Sequence, residues 1–128
     1  MEELLNNVSW LAVIVGAILS FLMGWLWYSP KLFGPKWAEG VGVEMGSAND
    51  MPVAAMVSQI IGLLLMSWFV GVLVAAGSLN TAVLGTIAFV VLAYSGGLFT
   101  KKSGYARCVE AGYWIVSLII MALVQHFL

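Results

Sequence analysis

The sequence predicts an all-α integral membrane protein: one transmembrane domain over residues 1–128, folded as a four-helix bundle with an up-down-up-down antiparallel course. Three observations predict it. Of the residues, 62% are hydrophobic and 9% are charged, against roughly 45–50% and about 25% in an ordinary soluble domain. The uncharged stretches are long enough to cross about 30 Å of hydrocarbon as helices, in which backbone groups pair within the chain. Every Lys and Arg falls in two alternate connections, as expected of a chain that crosses back and forth.

The first span is expected near Val8 to Tyr28. It follows Glu2 and Glu3 where a signal peptide has a basic stretch, and it exceeds a signal core of about 7–15 residues, so it is read as retained. Pro30, Gly34 and Pro35 stop that helix. Lys36 to Val43 suits a short interfacial segment with Trp37 toward lipid and Glu39 toward water. Asn49 or Asp50 is expected to cap a second span near Pro52 to Ala76, with Pro52 in the first turn, where its missing N–H costs nothing. The uncharged run from Met51 to Thr100 would be about 75 Å long as one helix, so it must fold back. Its turn formers are Gly77-Ser78-Leu79-Asn80, with Asn80 as the cap of a third span near Thr81 to Phe99. The fourth span is expected near Tyr105 to Phe127.

Lys31 and Lys36 lie in the first connection and Lys101, Lys102 and Arg107 in the third. The positive-inside rule therefore places both termini outside the cytoplasm. Trp25, Trp27, Tyr28 and Trp37 gather at the basic end of the first span, where amphipathic rings prefer the headgroup level, and are expected to form an aromatic belt.

The net charge of -1 leaves no basic surface for nucleic acid. A single cysteine, Cys108, excludes an intrachain disulfide. With one histidine, His126, and no H-E-x-x-H, G-x-S-x-G or Walker-type pattern, no catalytic residue, metal site or cofactor is expected. His126 reads as an interfacial residue and Cys108 as a small residue on a packing face.

Small residues recur every four positions: Gly16, Ser20 and Gly24; Ser67, Gly71 and Ala75; Gly104, Cys108 and Gly112. Such stripes let another backbone approach closely, either within the bundle or at an interface between chains. Counted along the helices, Ser20, Gln59, Tyr94, Ser95, Glu110 and Tyr113 share a layer about 7–12 Å below the cytoplasmic ends. Glu110 is costly in hydrocarbon and is expected to face water or a cation. Arg107, three residues earlier on the same helix, is the expected ion-pair partner, with Lys102 as the other candidate.

Trp27-Tyr28-Ser29-Pro30-Lys31-Leu32-Phe33-Gly34, followed by Trp37, closely resembles W-Y-S-P-x-x-F-G-x-x-W. That is the signature of a family of small four-span membrane proteins classed as a domain of unknown function. Glu110-Ala111-Gly112-Tyr113 resembles the same family's N-A-G-Y motif, with Glu110 in place of Asn and Trp114 where many members have His. The resemblance covers nearly the whole chain. It implies a bacterial-type integral membrane protein and attaches no activity to it. Small multidrug exporters are similar in size and span number only, since nothing between Gly16 and Ser20 matches the acid in their first span.

Two functions fit these residues. The first is a non-catalytic membrane protein that self-associates or joins a larger membrane complex in contact with lipid, in the bacterial inner membrane. The second is a small proton- or cation-linked carrier or channel, with Glu110 in a polar cavity open to the cytoplasm.

Overall fold

A computed structural model describes residues 5, 7–29, 31–41 and 53–128. Five helices follow in order: α1 (Trp10–Trp27), α2 (Gly34–Val41), α3 (Val53–Ala75), α4 (Leu79–Phe99) and α5 (Gly104–Phe127). All but α2 are long and apolar enough to cross a membrane, which makes the chain a multi-pass membrane protein. Asn49, Asp50 and Pro52, expected at the start of the second span, lie outside the described residues, as does Pro30.

Local chemistry sets the helix ends. Ser9 caps α1, its hydroxyl accepting from the Ala12 amide at 3.3 Å, and Ser103 caps α5 by accepting from the Ala106 amide at 3.0 Å. Between α3 and α4 the chain reverses at Gly77, whose φ of 72° is left-handed. The Ser78 amide donates to the Leu73 carbonyl at 2.7 Å and the Gly77 amide to the Val74 carbonyl at 3.0 Å. This is the paired C-terminal closure that favours glycine. Asn80 is not the cap expected of it: α4 already begins at Leu79, the cap position falls on Ser78, and Asn80 sits in the first turn. The same closure ends α4, where Lys102 and Lys101 amides donate to the Gly97 and Leu98 carbonyls, but here Lys101, at φ 62°, holds the left-handed position.

α1 packs against α3 and α5, and α3 also touches α4 and α5. α5 is the hub, in contact with every other helix, including α2. The apolar centre is Ala17, Leu63, Val70, Leu118 and Met121, with Phe21, Met66, Val74 and Trp114 packed around it. α4 is peripheral. It buries only Ala82, Thr86, Val90 and Gly97, while Leu84, Leu92 and Phe99 are 68%, 72% and 87% exposed, surfaces that suit lipid.

The first small-residue stripe, and the second at Ser67 and Gly71 but not at the exposed Ala75, are filled from within the same chain. A Cβ on Gly16 would stand 2.9 Å from the Ser67 hydroxyl, one on Gly24 would stand 2.9 Å from the Tyr113 hydroxyl, and one on Gly71 would stand 2.8 Å from the Gln125 amide nitrogen. Ser20 and Ser67 are fully buried on these faces, and the Ser67 hydroxyl donates to the Val13 carbonyl at 2.7 Å. These positions therefore serve helix packing and are not free to join another chain. The third stripe divides. Gly112 receives the Trp27 ring, whereas Gly104 and Cys108 are exposed, so they are not on the packing face expected of them. The reason is angular: α5 meets its neighbours along Ala106, Val109 and Tyr113, and Cys108 lies one residue, about 100° of rotation, from Val109.

Candidate functional site: the polar end of the bundle

The turn that follows α1 builds the site. The Trp27 carbonyl accepts from the Phe33 amide at 3.2 Å, and the Ser29 carbonyl accepts from the Leu32 and Gly34 amides, both at 3.1 Å. The Ser29 hydroxyl donates back to the Leu26 carbonyl at 2.7 Å. These bonds fold the chain into a corner and launch α2 back across the end of the bundle. Phe33 wedges the corner, 4.7 Å from the Trp27 ring and 6.4 Å from the Tyr105 ring. Gly34 and Ala38 are buried, and Gly40 lies against Ser103 and Ala106 so closely that a Cβ has no room. The Ser103 amide donates to the Gly40 carbonyl at 2.9 Å, tying α2 to the start of α5.

α2 thereby brings Trp37 over Glu110. The indole N–H donates to Glu110 Oε1 at 3.1 Å, and Lys102 Nζ donates to Oε1 at 2.9 Å and to Oε2 at 3.1 Å. Glu110 and Lys102 are both partly buried, so this ion pair is less screened than one on an open surface. The partner of Glu110 is thus Lys102 and not Arg107, although Arg107 is closer in helix spacing. Gly97 explains the difference. Its bare backbone lets the Arg107 stem lie against α4, where a Cβ would stand 2.9 Å from Arg107 Cγ. The guanidinium then donates to the Lys102 carbonyl and sits 5.0 Å from the centre of the Tyr94 ring.

Below Glu110 the polar residues continue inward. Tyr28, just beyond α1, stands edge-on to Trp37 at 4.9 Å and to Tyr113 at 5.6 Å between ring centres. Burial first, and then the nearby Glu110 carboxylate, raises the Tyr28 hydroxyl far above the usual phenol range, so it stays neutral. Tyr113 is fully buried. Its hydroxyl accepts from the Gln59 amide at 3.0 Å and donates to the Ser20 carbonyl at 3.4 Å, joining α1, α3 and α5.

Of the six residues expected to share a layer, Ser20, Gln59, Glu110 and Tyr113 meet here. Tyr94 does not, because α4 turns it 37% exposed onto the guanidinium. Ser95, on the same helix, is only partly buried.

The aromatic residues read as a belt are mostly not one. Trp25 is exposed, but Trp27, Tyr28 and Trp37 turn inward, Trp27 donating its indole N–H to the Val109 carbonyl at 2.9 Å. A sequence gives no means of telling an indole at headgroup depth that faces lipid from one that donates across a bundle. Glu39 faces water and His126 is exposed at the opposite end of α5. Among the described residues no three of His, Cys, Asp and Glu come together as metal ligands would.

A family described as a protein of unknown function (DUF1761) matches residues 11–126, and the chain belongs to this family. No curated protein and no solved structure matches it.

Proposed function

We propose that this member of the family is a small proton-linked carrier or channel of the bacterial inner membrane, in which Glu110 takes up and releases a proton at the mouth of a polar passage. The observation that carries this reading is the company Glu110 keeps. An ion pair that served only to anchor the rim would end at the rim, yet Trp37 and Tyr28 lead from Glu110 to Tyr113, whose hydroxyl bonds the Gln59 amide and the Ser20 backbone carbonyl inside the bundle. A carboxylate placed between water and such a set is suited to proton transfer. Lys102 pairs with it, and α2, fastened over it by Trp37, limits access from the aqueous side. The gathering of Lys31, Lys36, Lys101, Lys102 and Arg107 at this end supports a mouth in the cytoplasm, with both termini outside it.

The test replaces Glu110 by Gln in purified protein reconstituted into liposomes. Loss of pH-driven flux with an unchanged melting temperature supports the carrier. Unchanged flux with a fall in melting temperature makes Glu110 structural.

A second reading, an accessory or self-associating subunit of a membrane complex, is favoured by α4, whose outward side carries large apolar residues along its whole length. Chemical cross-linking in native membranes separates the two: stoichiometric cross-linked chains through α4 support the subunit.

A further inference from the structure

The polar side chains below Glu110 do not stop at Tyr113. On α5, Tyr113, Ser117 and Gln125 follow at intervals of 4 and 8 residues, turns of about 5.4 Å with a single turn skipped, along a line that winds from the α1 side at Tyr113 to the α3 side at Gln125, with Glu110 about one turn before it. That skipped turn belongs to Met121, and there α3 supplies the polar group: Gly16 of α1 lies against both Met121 and the Ser67 hydroxyl. Ser117, next to the Tyr113 hydroxyl, is fully buried, as are Ser20 and Ser67. The last step is Gln125, whose amide nitrogen lies against Gly71 of α3.

Three groups on this line, Ser20 Oγ, Ser117 Oγ and Gln125 Nε2, are buried without a hydrogen-bond partner. In hydrocarbon an unsatisfied polar group is costly, and an apolar residue would pack the same face at no such cost. Groups one turn apart are too far to bond directly but are spanned by a single bridging water. The axis is otherwise closed by Leu63, Val70 and Met121, each 1% exposed or less, so it has no width for a hydrated cation or an organic solute.

Resting on the reading of Glu110 as the proton-accepting group, we infer that the α1–α3–α5 axis is a proton-selective relay that runs from Glu110 to Gln125, with Ser117 as its midpoint. A proton arriving at the Glu110 carboxylate releases Lys102. Each following hydroxyl or bridging water accepts one proton and gives up one of its own, so one leaves past Gln125 for each that enters, driven by the transmembrane gradient. No bond other than O–H is made or broken, and no oxidant or reductant is required.

The experiment uses the full chain in liposomes with an internal pH dye and a potassium diffusion potential set by valinomycin. Val and Thr have nearly the same shape and differ in the hydroxyl, so Ser117→Val and Ser117→Thr fill the site equally. The relay predicts proton flux at least tenfold above empty liposomes in wild type, retained in Ser117→Thr and lost in Ser117→Val and Gln125→Leu. It also predicts no sodium flux. Flux in Ser117→Val equal to that in Ser117→Thr overturns the relay; if Glu110→Gln still abolishes flux, the carrier reading survives that result. Sodium passage overturns the selectivity, and wild-type liposomes that behave like empty ones overturn both. If both Ser117 variants fail to fold, Ser117→Ala replaces the Val variant, and flux in it equal to wild type overturns the relay.

Discussion

α4 and the trio of α1, α3 and α5 are built from similarly apolar residues, yet they occupy opposite situations. The trio buries serines, a tyrosine and glycines at its centre, whereas α4 hides a narrow strip and leaves most of its leucines, valines and phenylalanines outside. In water the apolar residues would mark the inside. In a bilayer the lipid is as apolar as leucine, so hydrophobicity no longer distinguishes a core position from a surface one. Small and polar residues take over that role, since they are the ones that gain from meeting another helix. α4 carries such residues too, among them Asn80, Thr81, Gly85, Ser95 and Gly96, but of its small and polar residues only Ala82, Thr86 and Gly97 are buried against a neighbour, and the helix stays at the edge.

This contrast is open to attack by substitution, with unfolding followed in mixed micelles by thermal melting or increasing denaturing detergent. The largest effect is expected at the seam of the trio. Gly24→Val drives a branched side chain into the Tyr113 ring and should cost about 2–3 kcal/mol, and a loss under half a kcal/mol would show that the seam is loose. A smaller effect comes from the hydroxyls. Ser67→Ala removes the bond to the Val13 carbonyl and should cost about 1 kcal/mol. On α4 the sign reverses: Thr86 is buried with its hydroxyl unpartnered, so Thr86→Val should leave stability unchanged or raise it by up to about 1 kcal/mol. The smallest effect is expected at Gly96, which has open space around its α-carbon; Gly96→Ala should raise stability by about 0.5 kcal/mol through helix propensity alone.

The sequence made the spans and the depth of each residue legible, because a helix rises by a fixed amount and lipid has a fixed thickness. What it left open is angle. Tyr94 and Ser95 have the same depth as Tyr113, but α4 carries apolar residues all round, so nothing in its pattern says which side faces the bundle. The Glu110 partner was open for a related reason. Helix spacing favours Arg107, and the preference for Lys102 arises from Gly97 on another helix, a contact with no local trace. Gly24 and Gly16 were legible as close-approach positions, but not whether the approaching chain would be this one or a second copy. Trp37 had no signal beyond its place in the resembled signature.

The position of α5 in the chain has a consequence for biogenesis. Every other helix rests on it, and it is the last of the five to be synthesised. While the ribosome is still working, α1 and α3 can already pair and α3 can meet α4, but the face each of them turns to α5 stays open to lipid. Assembly therefore waits for the keystone, and the greasiness of the earlier segments is what makes that waiting tolerable.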